Sequence, residues 1–136
     1  MAKVNMKTDL NVAADEVWKL IGGFNTLPDW HPAVEKSELQ EEGSMRRLSL
    51  AGGGTIVEKL ERFDDSERVY TYSIIDSPLP VSNYVSTISV KDDGEGNTTV
   101  TWSSEFEAKG AAENEAMDAI AGIYQAGFDN LKKMFS

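Results

Sequence analysis

A carboxylate on an inward-facing strand position is the strongest sign of chemistry in this sequence. Glu58 shares its strand phase with Ile56 and Leu60, because alternate residues of a strand point to the same face. Burial raises the pKa of such a carboxyl and suits it to act as a general acid or base near neutral pH. Other roles stay open: Glu58 anchors a ligand or water, pairs with Arg62 along the strand, or is exposed by a slip in register. Glu58 is therefore a weak candidate for catalysis and a stronger one for polar anchoring.

Hydroxyl groups share the face predicted for Glu58. Tyr72, Tyr84 and Ser86 occupy inward positions, whereas their outward neighbours are mostly threonine and serine. A buried hydroxyl without a partner costs about 1–3 kcal/mol, so these groups either bond one another or line a cavity that holds water or a ligand. The two phenols could orient a carbonyl or hydroxyl of a ligand, or be ordinary core tyrosines. The apolar members of this face complete the candidate binding surface: Leu48, Leu50, Leu60, Ile74 and Trp102.

The sequence does not favour other kinds of catalytic site or a metal site. His31 is the only histidine, and its place between Trp30 and Pro32 favours a structural or surface role over acid–base work. With one histidine and no cysteine, we expect no metal site. No Gly-x-Ser-x-Gly elbow supports a Ser-His-Asp triad. The run Gly52, Gly53 and Gly54 lacks a following Lys-Ser/Thr and precedes a strand, which excludes a phosphate loop; it is a flexible hairpin over a cavity mouth or a plain turn.

Composition limits the partners. The chain has 136 residues, and its net charge of −10 disfavours nucleic acid and anionic membrane surfaces. No segment approaches the roughly 20 apolar residues of a membrane span, and the N-terminus lacks the apolar run of a signal peptide. We therefore expect one cytoplasmic domain, 1–136, that is a monomer or weak homodimer and uses no cofactor.

The elements that would position these residues form an α+β pattern. Seven segments rich in β-branched and aromatic residues predict strands at 2–11, 34–41, 44–51, 55–64, 68–76, 84–91 and 98–108. Their short connections favour an antiparallel sheet. Two short helices are predicted after the first strand, one opening at Asp15 and stopping at Gly22 and a second within residues 24–32.

A long final helix is predicted at residues 112–135, with an apolar stripe at spacings of three and four. A twisted sheet would wrap around it. The stripe includes Ile120, Ile123 and Gly127. Because glycine costs a helix about 1 kcal/mol relative to alanine, Gly127 calls for a reason, and we expect it to thin the helix beside a cavity. These three residues join the candidate ligand-binding set.

Several short stretches resemble a known superfamily. VWKLI at 17–21, DWHPAV at 29–34, LERFDD at 60–65, RVYTYSI at 68–74 and NYVS at 83–86 appear in the order typical of START-like (Bet v 1-like, SRPBCC) helix-grip proteins. The likeness is to the bacterial polyketide cyclase/dehydrase and lipid-transport branch, near the plant abscisic acid receptors. It implies a seven-stranded antiparallel sheet gripping a long C-terminal helix, with a hydrophobic ligand cavity between them.

The resemblance also implies roles for residues. Glu58, Tyr72, Ile74, Tyr84 and Ser86 match cavity-lining positions of the receptor branch. The loop at 51–54 stands where those receptors have a gate, and the loop at 77–82, with Pro78, Leu79 and Pro80, stands where they have a latch. Both loops differ from the receptor signatures, so the resemblance implies a cavity rather than that hormone.

Three functions are compatible with this sequence. The first is binding or carriage of a small hydrophobic molecule, such as a lipid, polyketide or aromatic metabolite, between the sheet and the last helix. The second is a cyclase or dehydratase reaction on a polyketide-like substrate in the same cavity, with Glu58 or a tyrosine moving protons. The third is a protein-interaction module with a vestigial cavity.

Overall fold

The computed structural model describes residues 2–135, which form one curved antiparallel sheet and three helices. The strands are β1 (Ala2–Leu10), β2 (Val34–Gln40), β3 (Met45–Leu50), β4 (Thr55–Asp64), β5 (Val69–Asp76), β6 (Val81–Asp92) and β7 (Thr98–Ala108). Their order across the sheet is β1-β7-β6-β5-β4-β3-β2, so the first two strands of the chain, β1 and β2, are its edges. This confirms the seven-stranded antiparallel sheet predicted from the sequence.

The helices cover the concave face. Helix α1 (Ala14–Ile21) and the single turn α2 (Leu27–Trp30) link β1 to β2, and a short 3-10 turn (Glu41–Gly43) joins β2 to β3. Residues at spacings of three and four bury the inner side of α1: Ala14, Val17, Trp18 and Ile21. Helix α3 (Glu113–Met134) follows β7 and packs against β1, β7 and α2. The two short helices and the long last helix are where the sequence predicts them. No helix within residues 2–135 is long and apolar enough to cross a membrane.

Bulges adjust which side chains point inward. In β4 the register against β5 shifts between Leu60 and Arg62, so one extra residue stands between them. A bulge of this kind reverses the alternation of faces beyond it. Arg62 is consequently exposed and meets Asp64 at 3.5 Å on the outer surface. The alternative that pairs Glu58 with Arg62 is therefore wrong.

The strand β6 also departs from prediction. It begins at Val81, three residues before the expected start, and its register against β7 shifts between Ser82 and Val85. Asn83 has a φ of 53° within this irregularity. Because of the extra residue, Val81 and Tyr84 are both buried although they are three positions apart.

The expectation that Gly127 thins α3 beside a cavity is wrong. A Cβ atom at this position would lie 2.9 Å from both Trp30 Cζ3 and His31 Cδ2, and 3.3 Å from Trp102 Cζ3. The missing side chain instead lets three aromatic rings, from Trp30 in α2, from His31 just after it and from Trp102 in β7, approach the helix backbone. Gly122, on the exposed side of α3, has no neighbour within 4 Å of such an atom.

These two glycines form a matched pair for a stability test. Gly122→Ala should raise the free energy of unfolding by about 0.5–1 kcal/mol, because alanine loses less backbone entropy in a helix. Gly127→Ala should lower it by about 1–3 kcal/mol, because the new methyl group overlaps two aromatic rings. Urea unfolding followed by circular dichroism measures both. Stabilisation by Gly127→Ala would contradict the close packing.

Candidate functional site

A cavity of about 230 Å³ lies between the concave face of the sheet and α3. Strands β3 to β7 supply one wall, α3 supplies the opposite wall, and α2 and the loops at 51 and 79 surround the open end. Most of its lining is aliphatic or aromatic. Cavities of about 150 Å³ accommodate benzene, whereas sites for drug-sized ligands measure roughly 300–1,000 Å³. The space therefore suits a molecule of one or two rings.

Most residues proposed from the sequence meet at this cavity. Its lining includes nine of the twelve proposed ligand-binding residues: Leu48, Leu50, Glu58, Tyr72, Ile74, Tyr84, Trp102, Ile120 and Ile123. Leu79 of the proposed latch and His31 also line it. Three proposed residues stand apart. Leu60 lies farther along β4, Ser86 is buried behind the lining, and Gly127 is covered by aromatic rings.

Sequence reasoning missed the partner of Glu58. Arg46 is 1 % exposed; its Nε donates to Glu58 Oε1 at 2.8 Å, and its Nη2 lies 2.7 Å from the same oxygen. Its Nη1 donates to the carbonyl oxygen of Phe24 at 2.7 Å, and the guanidinium lies 4.3 Å from the centre of the Phe24 ring. The signal was present in the sequence, since Arg46 shares the inward phase of Leu48 and stands opposite Glu58 in the β3–β4 register.

The ion pair leaves one carboxylate oxygen for the cavity. Both contacts from Arg46 fall on Oε1, and no hydrogen bond to Oε2 is formed by any residue from 2 to 135. Burial raises the pKa of Glu58 above its ordinary value, while the charge and hydrogen bond of Arg46 act against that rise. Oε2 is thus an acceptor at the cavity wall, and a weakly hydrated carboxylate is a stronger base than one in water.

A directed chain of hydroxyl groups runs along the other side of the cavity. Ser86 donates its proton to the carbonyl oxygen of Ser103 at 3.0 Å, so Tyr124 must donate in its 2.9 Å contact with Ser86. Tyr84 must then donate in its contact with Tyr124. The chain therefore runs from Tyr84 through Tyr124 and Ser86 to a backbone carbonyl, and leaves the Tyr84 oxygen free to accept.

Tyr72 supplies the complementary donor. Its oxygen accepts from the Trp102 indole nitrogen at 3.1 Å, and that nitrogen is shared with Ser86 at the same distance. Ser86 already accepts twice and donates once, so it cannot take the Tyr72 proton, and no other hydrogen bond within residues 2–135 uses it. Burial raises the pKa of both Tyr72 and Tyr84 well above the ordinary value, which keeps both as neutral phenols.

His31 is a fixed neutral imidazole at the cavity edge. One ring nitrogen, Nε2, lies 2.7 Å from the carbonyl oxygen of Ile123 and must donate to it, while Nδ1 accepts from the backbone N–H of Ala33 at 3.1 Å. The side chain is 1 % exposed, and burial lowers its pKa, opposed by the bond to Ile123. Both nitrogens are occupied, so His31 joins α2 to α3 and has neither proton nor lone pair for a substrate.

The proposed gate and latch loops approach each other at the open end. Gly52, Gly53 and Gly54 all have φ between 85° and 105°, a region that favours glycine, so the run is required by the tight turn between β3 and β4. A Cβ at Gly54 would lie 3.6 Å from Leu50 Cδ1 and 3.7 Å from Pro78 Cγ. The two loops are therefore neighbours above the cavity.

Comparisons with known proteins agree with this architecture. Residues 1–135 match the family model described as polyketide cyclase / dehydrase and lipid transport. The protein XoxI from Bacillus cereus is 43% identical, with a TM-score of 0.97 over 99% of this chain and 96% of that one. The ZhuI aromatase/cyclase from a Streptomyces species (18% identity, TM-score 0.79, 98% and 92% covered) and a START superfamily protein from Mycobacterium smegmatis (13%, 0.80, 98% and 96%) share the fold. No curated protein matches the chain.

The environment of His31 predicts a pH dependence of stability. The folded state holds the imidazole neutral with a lowered pKa, so below the ordinary value of 6.5 the unfolded chain takes up a proton that the fold excludes. Between pH 7.5 and 5.5 His31 should therefore reduce the free energy of unfolding by about 1 kcal/mol. His31→Gln should be less stable at pH 7.5 yet lose this part of the pH dependence. Identical pH slopes for the two proteins, measured by urea unfolding, would contradict the assignment.

Proposed function

The chain belongs to the polyketide cyclase / dehydrase and lipid transport family, and on that premise we propose that it binds a small aromatic molecule carrying a hydroxyl or carbonyl group. The observation that carries the proposal is the composition of the cavity wall. An apolar lining surrounds three hydrogen-bonding groups that no residue from 2 to 135 engages: an acceptor at Glu58 Oε2, an acceptor at Tyr84 and a donor at Tyr72. A small number of polar groups on an apolar surface can fix the orientation of a ligand while its surroundings stay poor in water.

The size of the cavity narrows the choice among the ligands considered. A long acyl chain or an extended polyketide needs more than about 230 Å³ in this conformation, whereas a phenol or a fused two-ring alcohol does not. The hydroxyl of such a ligand would donate to Glu58 Oε2 or Tyr84, and a carbonyl oxygen would accept from Tyr72. A ligand that leaves the buried Glu58 oxygen without a hydrogen bond should bind more weakly, because desolvation of a charged acceptor is costly.

Substitutions on β4 test the use of the cavity. Ile56 lines it, while Val57, the next residue, points to the other side of the sheet. Ile56→Trp should weaken the binding of 2-naphthol, followed by its own fluorescence, by about tenfold or more, because the larger side chain occupies ligand space. Val57→Trp is the matched control and should bind as the parent does. Equal binding by both variants, or no saturable binding by the parent to 2-naphthol or other small phenols, would refute the proposal.

A cyclase or dehydratase reaction is a second candidate, and the free oxygen of Glu58 favours it. A buried carboxylate with a raised pKa beside a neutral phenol can remove a proton next to a carbonyl whose oxygen accepts from Tyr72. Arg46 would hold the carboxylate in place. After proton transfer, its positive charge would balance the negative charge left on the substrate.

The Glu58→Gln variant separates this reaction from simple binding. Glutamine keeps the shape of the side chain but is not a base at neutral pH, so turnover of short poly-β-ketone substrates should fall by about 10²–10⁴-fold. Binding of 2-naphthol should change much less, since the amide oxygen stays on Arg46 and the hydroxyl of the ligand can still donate to the Tyr84 oxygen. Product analysis by liquid chromatography measures the first effect and fluorescence titration the second. Retained turnover would remove Glu58 as the base and leave the binding proposal intact.

A further inference from the structure

The sheet is split at one end of the β5–β6 hairpin. The two strands are paired from Val69–Ser89 to Ser73–Val85, and the ladder then stops. Both strands nevertheless continue, since β5 runs on to Asp76 and β6 begins at Val81. The separated ends are held by their outer neighbours: β5 remains paired with β4, and β6 with β7.

Bulges on both sides account for the split. In β5 an additional residue, Ile75, stands between the partners of Val57 and Glu58. In β6 the irregularity that contains Asn83 lies against β7. A bulge bends its strand and increases its twist locally, and here both strands are bulged where their ladder stops. The loop between them is also tied to the far side, because Lys109 donates its backbone N–H to the carbonyl oxygen of Pro80 at 2.9 Å.

A cleft of about 490 Å³ occupies the split and reaches the wall of the inner cavity. Ile74 and Tyr84 line both spaces, so these two residues stand between them. The rest of the cleft is mostly polar, with hydroxyl, amide and charged groups from Ser77, Ser82, Asn83 and Lys109. Backbone groups that have no cross-strand partner add to this polarity, and they require water.

We propose that the split between β5 and β6 is a hydrated second opening of the cavity, closed by Ile74 and Tyr84, through which water passes. An apolar ligand that enters between the gate and latch loops must displace solvent from a space that holds roughly 8 water molecules at about 30 Å³ each. The polar walls of the split admit that water and disfavour the ligand. This inference goes beyond the proposed function, since it concerns solvent and holds whatever the cavity binds.

Paired cysteines test the split directly, because the chain has no cysteine of its own. Thr71 and Thr87 are register partners with hydroxyl oxygens 2.9 Å apart, so Thr71→Cys with Thr87→Cys should form a disulfide readily. Asp76 and Ser82 would be partners if the ladder continued. Cysteines at 76 and 82 should resist oxidation under the same conditions and accept a longer bismaleimide bridge. Equally rapid disulfide formation at both pairs would overturn the split.

Solvent exchange tests the passage. The Trp102 indole N–H lies at the cavity wall, whereas that of Trp18 donates to Asp65 at 2.7 Å outside the cavity. Bridging positions 76 and 82 should slow deuterium exchange of the Trp102 indole, followed by NMR, by about tenfold, and leave Trp18 unchanged. The disulfide at 71 and 87 controls for general stiffening and should change neither rate. An unchanged Trp102 rate in the bridged protein would show that water uses another path and would refute the proposal.

Discussion

One buried ion pair ties two strands on the concave face of the sheet to the chain between the first two helices. Arg46 joins β3 to β4 through Glu58, reaches the chain between α1 and α2 at the Phe24 carbonyl, and lies 5.1 Å from the centre of the Tyr72 ring. Withdrawing two charges from water costs several kcal/mol for each ion, and removal of one partner from such a pair costs about 3–5 kcal/mol. The pair is therefore stable only as a unit, and the surrounding aromatic rings and carbonyl are arranged to meet its remaining donors.

The architecture was predictable from the sequence because its strands and helices differ clearly in periodicity. Alternation in β5, β6 and β7 and the three-four spacing of α3 identify each element within a few residues. The same alternation gave most of the cavity wall, from Leu48 to Trp102. The role of Arg46 was predictable too, because it lies two residues before Leu48 on the same face of β3 and opposite Glu58 on β4.

What sequence reasoning could not give depends on single extra residues and on contacts between distant elements. The bulge after Leu60 turns Arg62 outward, and nothing in the local sequence distinguishes Glu61 as the residue that bulges. Gly127 was assigned to the cavity because a glycine in a helix suggests space. Its reason is the opposite, since Trp30, His31 and Trp102 occupy that space. Those rings come from the C-terminal end of α2 and from β7, and their meeting point is set by the tertiary packing.

The hydrogen-bonded His31 separates two regions of α3 that face the same sheet. At Gly127 the helix is packed against aromatic rings, whereas Ile120 and Ile123 in its earlier turns line the cavity. Substitutions in the earlier turns can alter the shape of the cavity while the later turns keep the helix in register. In evolutionary terms, changes at a few aliphatic positions can reshape the cavity in a descendant of this chain without first rebuilding the framework that makes the cavity possible.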